Sequence, residues 1–173
     1  MDVVVRALGR KEADLLDEVM AGMSRRSRFF RFHTPIRTLS AGMRRVLLDV
    51  DDCRHIAVVA VSESGRPIGV ARMIRDSRAP HEAEIAVAVI DQWHRRGVGR
   101  ELVSALAARG RAVGVTRLTA RVLRENIAAR RLFAAEFPGS VLRPDGDVVV
   151  ITAALDPNGW DITMEDIIAD LTA

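Results

Sequence analysis

Apolar residues along this 173-residue chain recur with two periods, and the alternation between those periods lays out the elements. The runs "VVVRAL" (Val3–Leu8), "HIAVVAVS" (His55–Ser62), "IGVARMIR" (Ile68–Arg75) and "AEIAVAVI" (Ala83–Ile90) are short, β-branched and bounded by turn residues, which predicts strands. "TRLTARVL", "SVLRP" and "DVVVITAAL" (Asp147–Leu155) predict three more, the last two turned at Pro144–Gly146. Lys11–Met23 instead places Leu15, Leu16, Val19, Met20 and Met23 at helical spacing. Ser40 is a candidate cap for a helix over "AGMRRVLLDV". A longer helix is predicted from roughly Val98 to Val113, ended by Gly114, and Asn126 is placed to cap "IAARRLFAAEF", which stops at Pro138 and Gly139. After an early hairpin turned at Gly65 and Pro67, strands alternate with helices, so the expected fold class is α/β (α+β), one domain over residues 1–155.

The last 18 residues, 156–173, differ in character. "DPNGWDITMEDIIADLTA" carries five acids and no base. Thr163 with Asp166 resembles a capping box, and Trp160, Met164, Ile167, Ile168 and Leu171 share a helical face. A short helix docked on a basic surface is the expectation, with a partner-binding element as the alternative.

Composition changes this picture little. With 49% apolar residues the chain is globular. Its 26 basic residues nearly balance 23 acidic ones, and the arginines are interleaved with acids rather than gathered on one face, so nucleic acid is not an expected partner. No run approaches 18 consecutive apolar residues and no signal peptide opens the chain, so a soluble, cytoplasmic protein with no membrane partner is expected. Cys53 is the sole cysteine, which excludes an internal disulfide or a cysteine-based zinc site; no metal is expected, and a small buried thiol is its expected role. There is no tyrosine.

The candidate chemistry starts at "DQWHRRGVGREL", residues 91–102. His94, Arg95 and Arg96 run into Gly97 and Gly99 between a predicted strand and a predicted helix. Helix N-termini carry unpaired N–H groups and partial positive charge, and glycine lets a phosphate come close, so the turn reads as a pyrophosphate cradle; packing alone would explain the glycines equally simply. It is neither a P-loop nor a dinucleotide fingerprint, because no G-x-x-x-x-G-K-[ST] occurs and Leu102 stands where the third glycine would be.

Residues Glu84 to Phe137 resemble the acetyl-CoA-binding core of the GNAT N-acetyltransferases. The family pattern Q/R-x-x-G-x-G/A is filled by His94-Arg95-Arg96-Gly97-Val98-Gly99, and N-x-x-A by Asn126-Ile127-Ala128-Ala129 about 30 residues later. The resemblance implies a GNAT fold, a mixed central sheet flanked by helices, with acetyl-CoA as cosubstrate. It implies that backbone amides of Arg95, Arg96, Gly97, Val98, Gly99 and Arg100 hold the pyrophosphate, that Val87 and Val89 pair their backbone with the pantetheine arm, and that Asn126 bonds the coenzyme. Arg130 and Arg131 are candidates for the adenosine 3′-phosphate, or for a solvated helix face. Two departures stand out. His94 replaces the usual Gln or Arg, and Phe133 stands where many members carry a tyrosine general acid.

An acceptor lysine, with a pKa near 10.4, must lose a proton before it attacks a thioester, and a carboxylate near the thioester serves. Glu84 is the candidate general base: alternation puts Glu84, Ala86 and Ala88 on one face, opposite Ile85, Val87 and Val89. A strand-end salt bridge is the structural alternative for Glu84; Glu82 is a rival base, with His81 a possible assistant to either. The segment "SRRSRFFRFHTPIRTLS" is similar to the catalytic domain of bacterial protein-lysine acetyltransferases, some of which carry a cyclic-nucleotide-binding domain; none lies in these residues. Core packing for Phe29, Phe30 and Phe32 and a solvated face for Arg25, Arg26, Arg28 and Arg31 are the simpler readings. The expected function is direct acetyl transfer to an amine, a protein lysine ahead of a small molecule. A non-catalytic acyl-CoA-binding module is the competing class, and homodimerisation is left open.

Overall fold

The computed structural model describes residues 3–155; the acidic segment 156–173 lies outside the described residues. Seven strands form one sheet: β1 (Val3–Ala7), β2 (His55–Ser62), β3 (Pro67–Arg75), β4 (Glu82–Val89), β5 (Arg117–Leu123), β6 (Val141–Asp145) and β7 (Val148–Ala154), in spatial order β1-β2-β3-β4-β5-β7-β6. β1 to β4 are an antiparallel meander, β4 and β5 are parallel, and β5, β7 and β6 are again antiparallel. The sheet is therefore mixed, as expected, and the change of direction falls between β4 and β5.

Among the described residues five α-helices cover it: α1 (Ala13–Ala21), α2 (Arg25–Phe32), α3 (Ala41–Leu48), α4 (Val98–Ala112) and α5 (Ile127–Glu136). Val98, Leu102, Val103, Leu106, Ala107 and Gly110 make the buried stripe of α4, at helical spacing, and this helix is the crossover that parallel β4 and β5 require. β2 and β3 are buried along nearly their whole length because helices lie on both of their faces.

A stretch to which the sequence assigns no element is helical, and one expectation changes. "SRRSRFFRFHTP" is a helix, α2: the Ser24 hydroxyl accepts from the Ser27 amide, and His33 ends it in the left-handed region at φ 55°. Cys53 is exposed rather than buried. It sits in a tight turn where the Asp51 carboxylate accepts from the amides of Cys53, Arg54 and His55, which leaves the thiol at the surface, 3.5 Å from Arg75 Nη1.

Candidate active site

The decisive backbone feature is a fork. β4 and β5 pair only over Glu82–Glu84 and Arg117–Thr119 and then separate. The amides of Thr116 and Arg117 donate to the His81 carbonyl, while Ile90 N–H donates to Ile68 on β3. Backbone groups alternate sides along a strand, so those of His81, Ala83, Ile85, Val87 and Val89 turn toward β5, and those of Val87 and Val89 have no strand partner where β5 has diverged. They are placed to accept an extended ligand as an extra strand.

The fork opens into a cleft of about 270 Å³, walled by Phe30–His33 from the end of α2, by Glu84–Val87, by Ala120–Val122, and by Asn126, Ala129 and Phe133 from α5. Glu84 lies where the strands part. It is exposed and has no hydrogen bond or ion pair among the described residues. Its rival Glu82 is engaged, 2.6 Å from Arg117 Nη1, with His81 Nε2 at 3.7 Å. The strand-end salt bridge expected as an alternative for Glu84 thus falls to Glu82.

The surroundings of Glu84 are cationic. Burial pushes the Arg31 guanidinium down to about 10, and the Glu84 carboxylate opposes that effect. His33 is pushed below the ordinary histidine range by burial first, then by Arg31 and Arg121. Arg121 pairs with Asp145 at 2.9 Å. Sequence reasoning gave no site role to His33 or Arg121, and a solvated face was its simpler reading for Arg31, which instead walls the cleft. The Ser24 cap was the available signal, because it starts the helix whose end delivers Arg31 and His33 to the cleft.

The cradle follows β4 through a single 3₁₀ turn, Asp91–Trp93. Asp91 Oδ1 accepts from the Ser24 amide at 3.1 Å, tying this turn to the start of α2. His94 Nε2 lies 2.9 Å from the Val89 carbonyl, so its ring occupies one of the open backbone groups of β4. Arg95 and Gly97 take positive φ, 60° and 86°, and Gly97 caps α4 without a side chain, so the first N–H groups of α4, starting at Val98, have no intrahelical partner. A Cβ on Gly97 would meet nothing within 4 Å, whereas one on Gly99 would come 3.2 Å from Leu132 Cδ2. Gly99 therefore serves helix packing as well as any ligand.

The remaining predicted residues are held in place by protein groups. Arg96 lies over the Trp93 ring, and Arg100 pairs with Glu136 at 2.7 Å. Asn126 caps α5 by accepting from the Ala129 amide at 3.1 Å and still lines the cleft. Arg130 donates to the Arg124 carbonyl at 3.2 Å. Phe133 is buried at the cleft wall and stacks on Phe137, 6.2 Å between centroids.

The sequence pattern of the Acetyltransferase (GNAT) family matches residues 23–137, a segment that holds the fork, the cleft and the cradle. The chain belongs to the GNAT acetyltransferase family. The family uses acetyl-CoA. Among relatives of this GNAT chain, acetyltransferase Pat of Mycolicibacterium smegmatis is 33% identical over 104 residues, 60% of this chain and 31% of the relative, so the match spans less than a third of that protein. The GNAT domain of S. lividans PAT superposes with a TM-score of 0.80 at 26% identity, over 87% of this chain and 89% of that one. yncA from Salmonella typhimurium, solved with its cofactor acetyl-CoA, shares the fold at a TM-score of 0.71 and 18% identity, over 94% and 100% of the two chains. No helix among the described residues is long and apolar enough to cross a membrane.

Proposed function

We propose that this GNAT acetyltransferase transfers the acetyl group of acetyl-CoA directly to an amine, with a protein lysine as acceptor and Glu84 as general base. The observation that carries the reading is the position of Glu84: a carboxylate with no bonded partner among the described residues, at the fork of β4 and β5, on the wall of the cleft beside the open backbone of Val87. The cradle amides at the start of α4 suit a pyrophosphate, and the forked backbone suits a pantetheine arm. Asn126 Oδ1 is committed to the helix cap, which leaves its amide nitrogen for the coenzyme.

In this reading Glu84 takes the ammonium proton from the acceptor, and the neutral amine so formed attacks the thioester carbonyl. The Val89 N–H, on the β5 side of β4 beyond the fork, polarises that carbonyl. The departing thiolate needs no dedicated acid, because a thiol pKa near 8.5 lets water return the proton; Phe133 fills the place of the missing tyrosine with an apolar wall. Cys53 sits in the turn before β2, outside the residues lining the cleft, so no acyl-enzyme step passes through it. The lean toward a protein lysine rests on the absence of tyrosine, on the α2 segment, and on the likeness to acetyltransferase Pat and to the PAT domain.

The test is intact-mass analysis after incubation with acetyl-CoA, across lysine-bearing proteins and a panel of small amines. A gain of one acetyl group on a protein lysine supports the proposal. Acetylation confined to small amines overturns the acceptor assignment, and acetyl-CoA binding with no transfer to any acceptor returns the chain to a binding module.

A further inference from the structure

Beneath α2, on the side away from α4, lies a second and separate void of about 20 Å³. Its walls are largely apolar, with Leu16, Met20, Val70 and Ala88 among them, and Arg31 and Arg72 reach it. The volume suits one occupant the size of a water or a small ion.

Arg72 is 4% exposed on the central strand β3. Its Nη1 donates to the Leu47 carbonyl at 2.8 Å and lies 3.2 Å from His55 Nε2, while its Nε is buried with no partner. His55 cannot neutralise it. His55 Nδ1 lies 3.0 Å from the Asp49 carbonyl and so carries the ring proton, leaving Nε2 as a neutral acceptor. Arg31 lies over the Phe32 ring at 4.8 Å and has no hydrogen bond or ion pair among the described residues. The two guanidiniums repel each other: burial first, and the Arg31 charge second, bring Arg72 down to about 9. No carboxylate forms an ion pair with Arg72 among the described residues. Buried charges are ordinarily paired, because an isolated ion in an apolar interior is strongly disfavoured. A water in the void would satisfy one donor and leave the charge uncompensated.

We propose that this void is a binding site for one small monovalent anion of the halide class, held between the guanidiniums of Arg31 and Arg72. The anion accepts from the orphaned Nε of Arg72 and offsets the repulsion between the two side chains. Because Arg31 also walls the catalytic cleft, an occupied site holds that side chain in place beside Glu84.

The experiment compares thermal unfolding of the described chain in sodium chloride or bromide with unfolding in sodium gluconate at equal ionic strength, since gluconate is too large for the void. A saturable, halide-specific rise in melting temperature is expected for the wild type. Arg72→Met is expected to weaken halide affinity by roughly tenfold or more, the worth of one hydrogen bond to a charged group. Equal melting temperatures in chloride and gluconate, or the same halide increment in Arg72→Met, overturn the proposal and leave the void to water. If Arg72→Met fails to fold, chloride-35 NMR on the wild type decides: saturable line broadening displaced by bromide supports the site, and its absence overturns it. Arg31→Met, on the other wall, is expected to weaken the same broadening.

Discussion

Replacing Glu84 by glutamine removes a charge and keeps the shape. In the folded chain that carboxylate is exposed and bonded to no described residue, so stability is expected to change by less than about 0.5 kcal/mol. The catalytic cost follows from the acceptor. At pH 7.4 a lysine of pKa about 10.4 is neutral in roughly one molecule per thousand. A base that removes that proton within the complex, ahead of attack, recovers up to about 1000-fold, or about 4 kcal/mol of barrier, within the 10²–10⁴ range of general base catalysis. Glu84→Gln is therefore expected to lose about 1000-fold in kcat with the KM for acetyl-CoA unchanged. The loss should also shrink tenfold per pH unit, because alkali does for the variant what Glu84 does for the wild type. The assay is release of free coenzyme A, followed with a thiol reagent from pH 7 to 10, with Glu82→Gln as control because Glu82 is already held by Arg117. A Glu84→Gln enzyme above a tenth of wild-type rate at pH 7.4, or a deficit that does not narrow with pH, would refute the assignment.

Two other expectations concern groups that hold the scaffold. Asn126→Ala removes the cap of α5 and is expected to cost about 1 kcal/mol, a fall of roughly 2–4 °C in Tm by calorimetry; Asn126→Asp keeps the cap but loses the amide nitrogen, so it should weaken acetyl-CoA binding with little change in Tm. Asp51 is held down to about 2, from an ordinary 3.8, by the backbone N–H of His55 and then that of Cys53. A depressed carboxyl stabilises the fold above its unfolded pKa and loses that contribution as pH falls through its folded value, here between about pH 4 and pH 2. The full displacement from 3.8 to about 2 corresponds to about 2.4 kcal/mol, which exposure reduces to roughly 1 kcal/mol. Asp51→Ala should be less stable by that amount at pH 7 in urea titrations, and the difference should vanish near pH 2.

What the sequence made legible follows the strength of local signals. The β2–β4 meander, α4 and α5 are plain because their apolar periods are clean and because Asn126 and the glycine-rich turn punctuate them. α2 was not, since three phenylalanines among four arginines leave it without one fully buried residue, and only the Ser24 cap announces it. Glu84 could be chosen from its place in an apolar strand, but its separation from Glu82 needed tertiary structure: Arg117 is 35 residues away from Glu82. The same holds for Arg31 and His33, which meet Glu84 only because α2 lies across the fork, and for Arg121, which β5 brings to the same cleft. That His94 turns back to the Val89 carbonyl follows from the 3₁₀ turn between them, which no periodicity encodes.

The central claim is that the turn from β4 to α4 cradles acetyl-CoA, and calorimetric titration of acetyl-CoA into the wild type and Gly97→Val tests it most directly. Gly97 is the position to change, because its φ of 86° strongly disfavours a β-branched residue and its Cβ would point into open space, whereas a side chain at Gly99 would displace Leu132. Wild-type binding that falls more than tenfold in a folded Gly97→Val variant is the predicted result. No binding by the wild type, or unchanged binding in the variant, would contradict it.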